Sequence, residues 1–432
     1  MKRLVTWTAI LVVILFGTGY LISLYLLHSA RGTVTTMHEQ ITDSGDKLYL
    51  SDYADDLIAD EDNAFHQLFD DGSNVSAFDE AYFALAPPDS LQGWTPDAKP
   101  ALPDAALEKL VADHQSLFDR FEKASRCKSY WADIDYSLGL SAPLAYLPQL
   151  RSISRSIAAK ARIMAASGDG DEALRTCSTG LRIHRLLESE PNLVTQLANM
   201  AGEQMILNAA HFTLMNSNPS ESVRAEFDQA LSQLDVNRAM LNGLKGERAM
   251  SLMTFAQIRN GEFDPGNEIP TSGFMGGTTL GSAYLYNDEA TYIRMMNTQI
   301  EMVTKPFAER DPILDGMEAE LSDSGFRNTV TKLLFPSIRR TIDAKDDMET
   351  NIRCMRIVVT AYGQSSLDLE SVPAAVRIDP YSQQDFLVKP TDTGWIIYGV
   401  GRNLMDDGGK IYEVQGSNGL PTDIGFPSAP PK

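Results

Sequence analysis

Cysteine is scarce. The 432-residue chain has three, Cys127, Cys177 and Cys354. They lie far apart, with no C-x-x-C and no histidine pair beside them, which argues against a zinc or dithiol motif. An odd count leaves at least one thiol unpaired in a monomer, so buried apolar thiols are expected, with a Cys127–Cys177 bridge as the alternative. Positive charge is short as well: 37 Lys and Arg face 58 Asp and Glu, a formal net charge of −21. Nucleic acid demands a clustered basic surface, and no Lys/Arg-rich run with interleaved aromatics occurs, so no nucleic-acid partner is expected. The six histidines, His28, His38, His66, His114, His184 and His211, are scattered and none pairs with His or Cys at ligand spacing, so each reads as a surface or locally bonded imidazole. There is no H-E-x-x-H and no G-x-S-x-G.

The Gly-rich stretch GEFDPGNEIPTSGFMGGTTLGSAYLYN, residues 261–287, lacks the lysine that a P-loop needs to reach phosphates, and no strand precedes it. It reads as a surface loop with no nucleotide, long enough to leave a lid or contact role open. Asp133 and Asp135 in YWADIDYS offer two carboxylates near aromatics, as glycoside chemistry requires. An i, i+2 pair shares a face only in a strand, so the pair alone names no catalytic site.

Long apolar runs occur once. After Lys2 and Arg3, residues 4–27 (LVTWTAILVVILFGTGYLISLYLL) carry no charge. About 20 apolar residues span a bilayer, and Trp7, Tyr20 and Tyr25 stand toward the two ends, as interfacial aromatics do. Signal-peptide apolar cores are shorter and end at a small-x-small site, and the exit LHSARG is a poor one. The run therefore reads as an uncleaved anchor in a lipid bilayer. Lys2 and Arg3 place the N-terminus in the cytoplasm and the rest outside, in a periplasm or its equivalent.

Beyond the anchor, 43% hydrophobic residues supply packed cores. Residues 28–103 form an acidic membrane-proximal segment. Fourteen Asp/Glu and one base, Lys47, fall between Asp43 and Asp97. Leu57, Ile58, Ala64, Phe65, Leu68 and Phe69 keep helical spacing there, which predicts amphipathic segments with a charged outer face. Residues 86–104, rich in Pro, form a loop ending at Asp104, a candidate N-cap. A helical domain over 104–340 follows. Leu107, Leu110, Val111, Leu117, Phe118 and Phe121 line one side of its start. Three consecutive helices are expected next, broken at Gly168–Gly170 and at Pro191, then a long helix or broken pair over 220–259 and another block over 286–310. The middle resembles one tetratricopeptide hairpin. Ala161, Gly168, Asp169, Ala173 and Leu174 stand where such repeats put small residues, the turn and the second helix, although the early Trp/Leu-Gly pattern is missing and no second copy follows at the 34-residue period.

From Lys345 a helix with Ile352, Met355, Val359 and Tyr362 on its inner face ends near Gly363. Two strand-like runs, 385–390 and 394–401, flank a TDTG turn, the pattern of a β-hairpin. The fold class is mainly α, with an N-terminal transmembrane helix, a multi-helix domain with hairpin stacking, and a small α+β module at 341–427. The order Tyr362, Pro373, Asp379, Pro380, Tyr381, Tyr398, Gly399, Gly401, Asp406, Asp407, Gly408, Gly409, Asp423, Ile424 resembles the C-terminal module of the major pseudopilins of type II secretion. In that family the loop after the hairpin binds calcium. The resemblance therefore implies Asp406, Asp407 and Asp423 as ligands, with Asn403 as an amide ligand, and Ca²⁺ as a structural ion with mixed oxygen ligands. A pseudopilin runs its apolar helix straight into this module after a Gly-Phe-x-x-x-Glu site. Here that site is missing and the anchor ends at 27 while the module begins at 341. The whole layout resembles bacterial single-pass envelope proteins that join a helical domain to such an ending. Three readings follow: an anchored scaffold or interaction protein of the cell envelope with envelope protein partners, an accessory part of a secretion or pilus-like machine, and an envelope hydrolase.

Overall fold

A computed structural model describes residues 2–53, 59–69, 72–86, 103–263, 278–325, 327–335, 338–411, 414–415, 420–421 and 423–428. The first element, α1 (Lys2–Asp43), is one unbroken helix. Its early part stands open: Trp7, Phe16, Leu21, Ile22 and Tyr25 are exposed, and between Ile10 and Leu26 only Ser23 is buried. Its later part carries Ala30, Val34 and Ile41, at helical spacing, into the core. The helix thus passes straight through the boundary at 27, because its outer half has a packing partner.

The acidic segment is structured where it is described. Helices α2 (Ala64–Phe69) and α3 (Gly72–Leu85) bury Ala64, Leu68, Val75, Phe78 and Tyr82; of the two acids on α3, Glu80 is exposed, whereas Asp79 turns inward and pairs with Arg155 at 2.5 Å. Leu57 and Ile58, and most of the Pro-rich loop over 87–102, lie outside the described residues. Asp104 caps α4 (Ala105–Asp113), accepting from the amides of Ala106 at 2.8 Å and Leu107 at 3.3 Å. Helix α5 (Gln115–Ala124) follows and buries Leu117, Phe118 and Phe121.

The centre is three helices, α6 (Leu147–Ala166), α7 (Gly170–Leu187) and α8 (Leu193–Asn216). The breaks fall where the sequence predicts them. Gly168 takes a left-handed φ of 88° and Asp169 caps α7 on the Glu172 amide at 3.1 Å. Asn192 caps α8 on the Thr195 amide at 3.0 Å, just after Pro191. Ala161, Ala173 and Leu174 are fully buried, so the hairpin packs through the small residues that its resemblance singles out. The 220–259 block is a broken pair, α9 (Glu221–Ser232) and α10 (Val236–Asn260), split where Asp235 caps the second helix. A Cβ on Gly246 would come 1.8 Å from the Pro191 carbonyl oxygen, so only glycine lets α10 lie this close to the α7–α8 turn.

Helix α11 (Thr279–Met302) runs beside α1, followed by α12 (Phe307–Asp323), α13 (Thr329–Leu334) and the long α14 (Ile338–Thr360). After the short α15 (Ala374–Arg377) comes the hairpin of β1 (Leu387–Thr391) and β2 (Gly394–Gly399), antiparallel from Leu387↔Tyr398 to Thr391↔Gly394. A two-residue ladder, β3 (Val414–Gln415) with β4 (Leu420–Pro421), precedes β5 (Ile424–Pro427), which pairs antiparallel with β2 to complete a three-stranded sheet in the order β1-β2-β5. Trp395, Ile397 and Phe426 join a hydrophobic core that is continuous back to Val34. The sheet is docked on the helices: His211 of α8 bonds the Pro427 carbonyl at 3.0 Å, and the Trp395 indole donates to the Gln364 carbonyl at 3.1 Å.

Candidate functional site

The C-terminal loop is built from Asp379 outward. This residue is 1% exposed. Its carboxylate accepts from the Tyr381 amide (3.0 Å), the Ser382 hydroxyl (2.8 Å) and the Val400 amide (3.3 Å), so one side chain ties the Asp379-Pro380 turn to the end of β2. From there the chain enters a tight loop in which Gly401, Leu404, Gly408 and Gly409 all have positive φ. The four residues implied by the pseudopilin resemblance lie together in it. The Asp423 carboxylate is nearly inaccessible and takes three backbone N–H groups, from Asp407 (3.3 Å), Gly409 (2.8 Å) and Lys410 (3.3 Å). Asp406 accepts from the Tyr398 hydroxyl at 3.0 Å and the Gly408 amide at 2.8 Å. Asp407 accepts from the Asn403 amide group at 2.9 Å. Burial raises the Asp423 carboxyl above its usual value, against the pull of its three N–H donors.

A lysine side chain reaches this loop from the sheet. Lys389 of β1 donates to the Gly408 carbonyl at 2.6 Å. Both oxygens of Asp423 accept from N–H donors, and among the described residues no group of three or more His, Cys, Asp or Glu side chains is gathered. The loop is closed by its own donors, and a calcium ion there would draw on backbone carbonyls beside the carboxylates to reach the 6–8 oxygens it takes. Neither Lys389 nor Tyr398 was legible as a loop partner. The hairpin register puts both on the sheet, but only the return path of residues 400–411 brings the loop over them.

A second polar assembly lies inside the three central helices. Ser154 Oγ is 3.1 Å from His184 Nε2, His184 Nδ1 is 2.7 Å from Asn199 Oδ1, and Asn199 Nδ2 donates to Glu203 at 3.0 Å. The order hydroxyl, imidazole, amide is that of a nucleophile relay. Every member is at most 1% exposed, however, so the hydroxyl has no access for a substrate. Burial lowers the His184 pKa to about 4, which keeps the ring neutral, and raises the Glu203 carboxyl. The helices pack closely here: a Cβ on Gly202 would stand 2.4 Å from the His184 ring. His184 is therefore the locally bonded imidazole that the sequence predicts.

Other candidates disperse. Asp133 and Asp135 lie exposed on an irregular segment. All three cysteines are free thiols, with Cys177 and Cys354 buried and Cys127 partly exposed, so the Cys127–Cys177 alternative is not formed. Residues 264–277 of the Gly-rich stretch lie outside the described residues. A cleft of about 420 Å³ opens between α5, α6, α7 and α9, and every Lys and Arg that lines it is engaged: Lys160 with Glu172 at 2.8 Å, Arg126 and Arg182 with Glu122 at 2.8 and 3.7 Å, and Arg175 with Asp171 at 3.9 Å. The fold thus defines a mainly helical protein with one apolar N-terminal helix and a small C-terminal antiparallel sheet. Comparison with family models, curated proteins and solved structures finds no match.

Proposed function

We propose that this is a single-pass membrane protein of the bacterial cell envelope, with a cytoplasmic N-terminus and a helical domain outside that serves as an interaction scaffold for other envelope proteins. The observation that carries the reading is the division of labour within α1. Its first half exposes a continuous apolar surface, and its second half is part of the domain's core through Ala30, Val34 and Ile41. An apolar helix left in water is costly at about 25 cal/mol per Å² of exposed apolar surface, and a bilayer removes that cost. Because the helix is unbroken across LHSARG and Ala30 is buried there, the chain supports an anchor over a removable leader. The unbroken helix then fixes the orientation of the domain at the membrane, which suits a platform for partners.

Alkaline extraction of membranes tests this. The full chain should stay with the lipid, and a chain lacking residues 4–27 should be released as a folded protein. Recovery of a mature form that has lost Lys2 and Arg3 would identify the run as a leader and sink the anchor. Cross-linking in intact membranes should capture a reproducible protein partner.

The order of α14, the Asp379-Pro380 turn, the hairpin and the loop favours a second reading, an accessory part of a secretion or pilus-like machine. With it comes a structural calcium ion held by Asn403, Asp406, Asp407 and Asp423. On that reading the chain co-purifies with such a machine and its deletion blocks export.

A further inference from the structure

The far end of the apolar run is not a bare helix. Ser23, four residues before the run ends at Leu27, is 3% exposed because α11 covers it: Ser23 Oγ and Thr279 Oγ1 are 2.7 Å apart. At 1.5 Å per residue, Thr279 sits about 6 Å inside the end of the apolar run. Polar contacts fix the direction of the neighbouring helices. Lys245 and Arg248 hold Asp46, and Arg259, further along α10, shares Glu289 with His38. Helix α10 therefore descends toward the apolar end. Helix α11 starts at Ser23 and climbs alongside α1, reaching His38 with Glu289 and the Asp46 level with Asn297, which Arg248 also bonds at 2.6 Å.

Chemistry follows the same axis. No charged residue occurs from 269 to 287, and the first on α11 is Asp288. Leu280, next to the Ser23–Thr279 contact, is 48% exposed, at the same level of α1 as the exposed Leu21, Ile22 and Tyr25. The two hydroxyls satisfy one another, as polar groups at hydrocarbon depth must. We infer that the first turn of α11, at Thr278–Ser282 with Leu280 outermost, forms a second membrane contact, seated in the headgroup–acyl boundary of the outer leaflet beside the anchor. This contact rests on the reading of α1 as a bilayer helix and adds to it. The domain does not hang from a flexible stalk but rests on the membrane through two helices.

Site-directed fluorescence in the full chain tests the contact. In a Cys127→Ser background, with Cys177 and Cys354 buried, the variants Leu280→Cys, Leu15→Cys and Leu404→Cys are each labelled with an environment-sensitive dye. They are then reconstituted in phosphatidylcholine/phosphatidylglycerol vesicles carrying nitroxide-labelled acyl chains. Labels at 280 and 15 should shift to the blue and be quenched, and a label at 404, on the exposed tail loop, should do neither. Quenching at 15 but not at 280 overturns the second contact and leaves the anchor standing. No quenching at either position overturns both. Quenching at all three shows unspecific adsorption and also removes the inference.

Discussion

Glu190 sits fully buried at the turn between α7 and α8, where the Tyr136 hydroxyl lies 2.8 Å from one carboxyl oxygen and the Ala132 amide 3.4 Å from the other. Both donors are neutral, so burial outweighs them and lifts the carboxyl from 4.5 to about 7. An acid whose folded pKa is raised holds its proton more tightly when folded. Its contribution to stability is complete below the unfolded value and is lost as pH rises through about 7. Glu190→Gln removes the titration while keeping an acceptor for Tyr136. The variant should match the parent in urea midpoint at about pH 4.5 and exceed it above pH 7, by up to about 3 kcal/mol at 1.36 kcal/mol per pKa unit. A variant less stable than the parent at alkaline pH would mean that the charged carboxylate is fully satisfied where it lies.

At the scale of elements, the tail is fastened by charge as well as by its sheet. On α14, Asp346 pairs with Arg310 and, at 2.7 Å, with Lys345, all buried. Asp347 accepts from the Tyr381 hydroxyl at 2.5 Å, and Asp343 pairs with Arg402 at 2.9 Å. One helix therefore holds both the opening turn of the module and the start of its loop. A calcium ion in that loop would compete with the N–H donors of Asp423 and with Lys389. The pseudopilin-like reading still expects a higher melting temperature of the full chain in calcium than in chelator, because a ligand bound only by the folded state must raise it. The gain should vanish in Asp406→Asn/Asp407→Asn. Equal melting temperatures in calcium and chelator would leave the loop closed by its own hydrogen bonds.

Much of this layer was readable in advance, for local reasons. Asp104 as a cap, Gly168 and Pro191 as breaks, and the turn between β1 and β2 are all set by short-range chemistry. What was hidden depends on distant partners. The segment TVTTMHEQITD has several β-branched residues and a weak helix propensity, yet it continues α1 to Asp43 because α11 packs on it. Strand β5 is four residues long and is specified by β2, which precedes it by a loop. The Ser154–His184–Asn199–Glu203 assembly draws on three helices, and no spacing in the chain announces it. Asn403, Asp406, Asp407 and Asp423 enter as calcium ligands through the pseudopilin resemblance alone, whereas their N–H donors and Lys389 follow only from the folded path.

At the scale of the whole molecule, the buried ionisable groups pull in two directions. Burial raises Glu190 and Glu247 to about 7 and Asp288 and Asp343 to about 6. These groups stabilise the fold at acidic pH and lose that contribution as pH climbs through those values. His184 and His211 are lowered by burial to about 4, so their contribution is complete above 6.5 and is lost as pH falls toward 4. Four carboxyls against two imidazoles displaced by a similar amount leave the acids in control between those limits. The net charge of −21 acts in the same direction, since repulsion within the compact state grows as carboxylates ionise. The full chain in detergent should therefore have its highest urea midpoint near about pH 5 and lose stability steadily toward about pH 8. Salt separates the two causes. It screens repulsion among surface carboxylates, so it should recover part of the loss at alkaline pH, while the part owed to buried carboxyls persists at any ionic strength. A midpoint that rises from acidic to alkaline pH would show that the buried acids are ionised and paired, and would place the histidines in control instead.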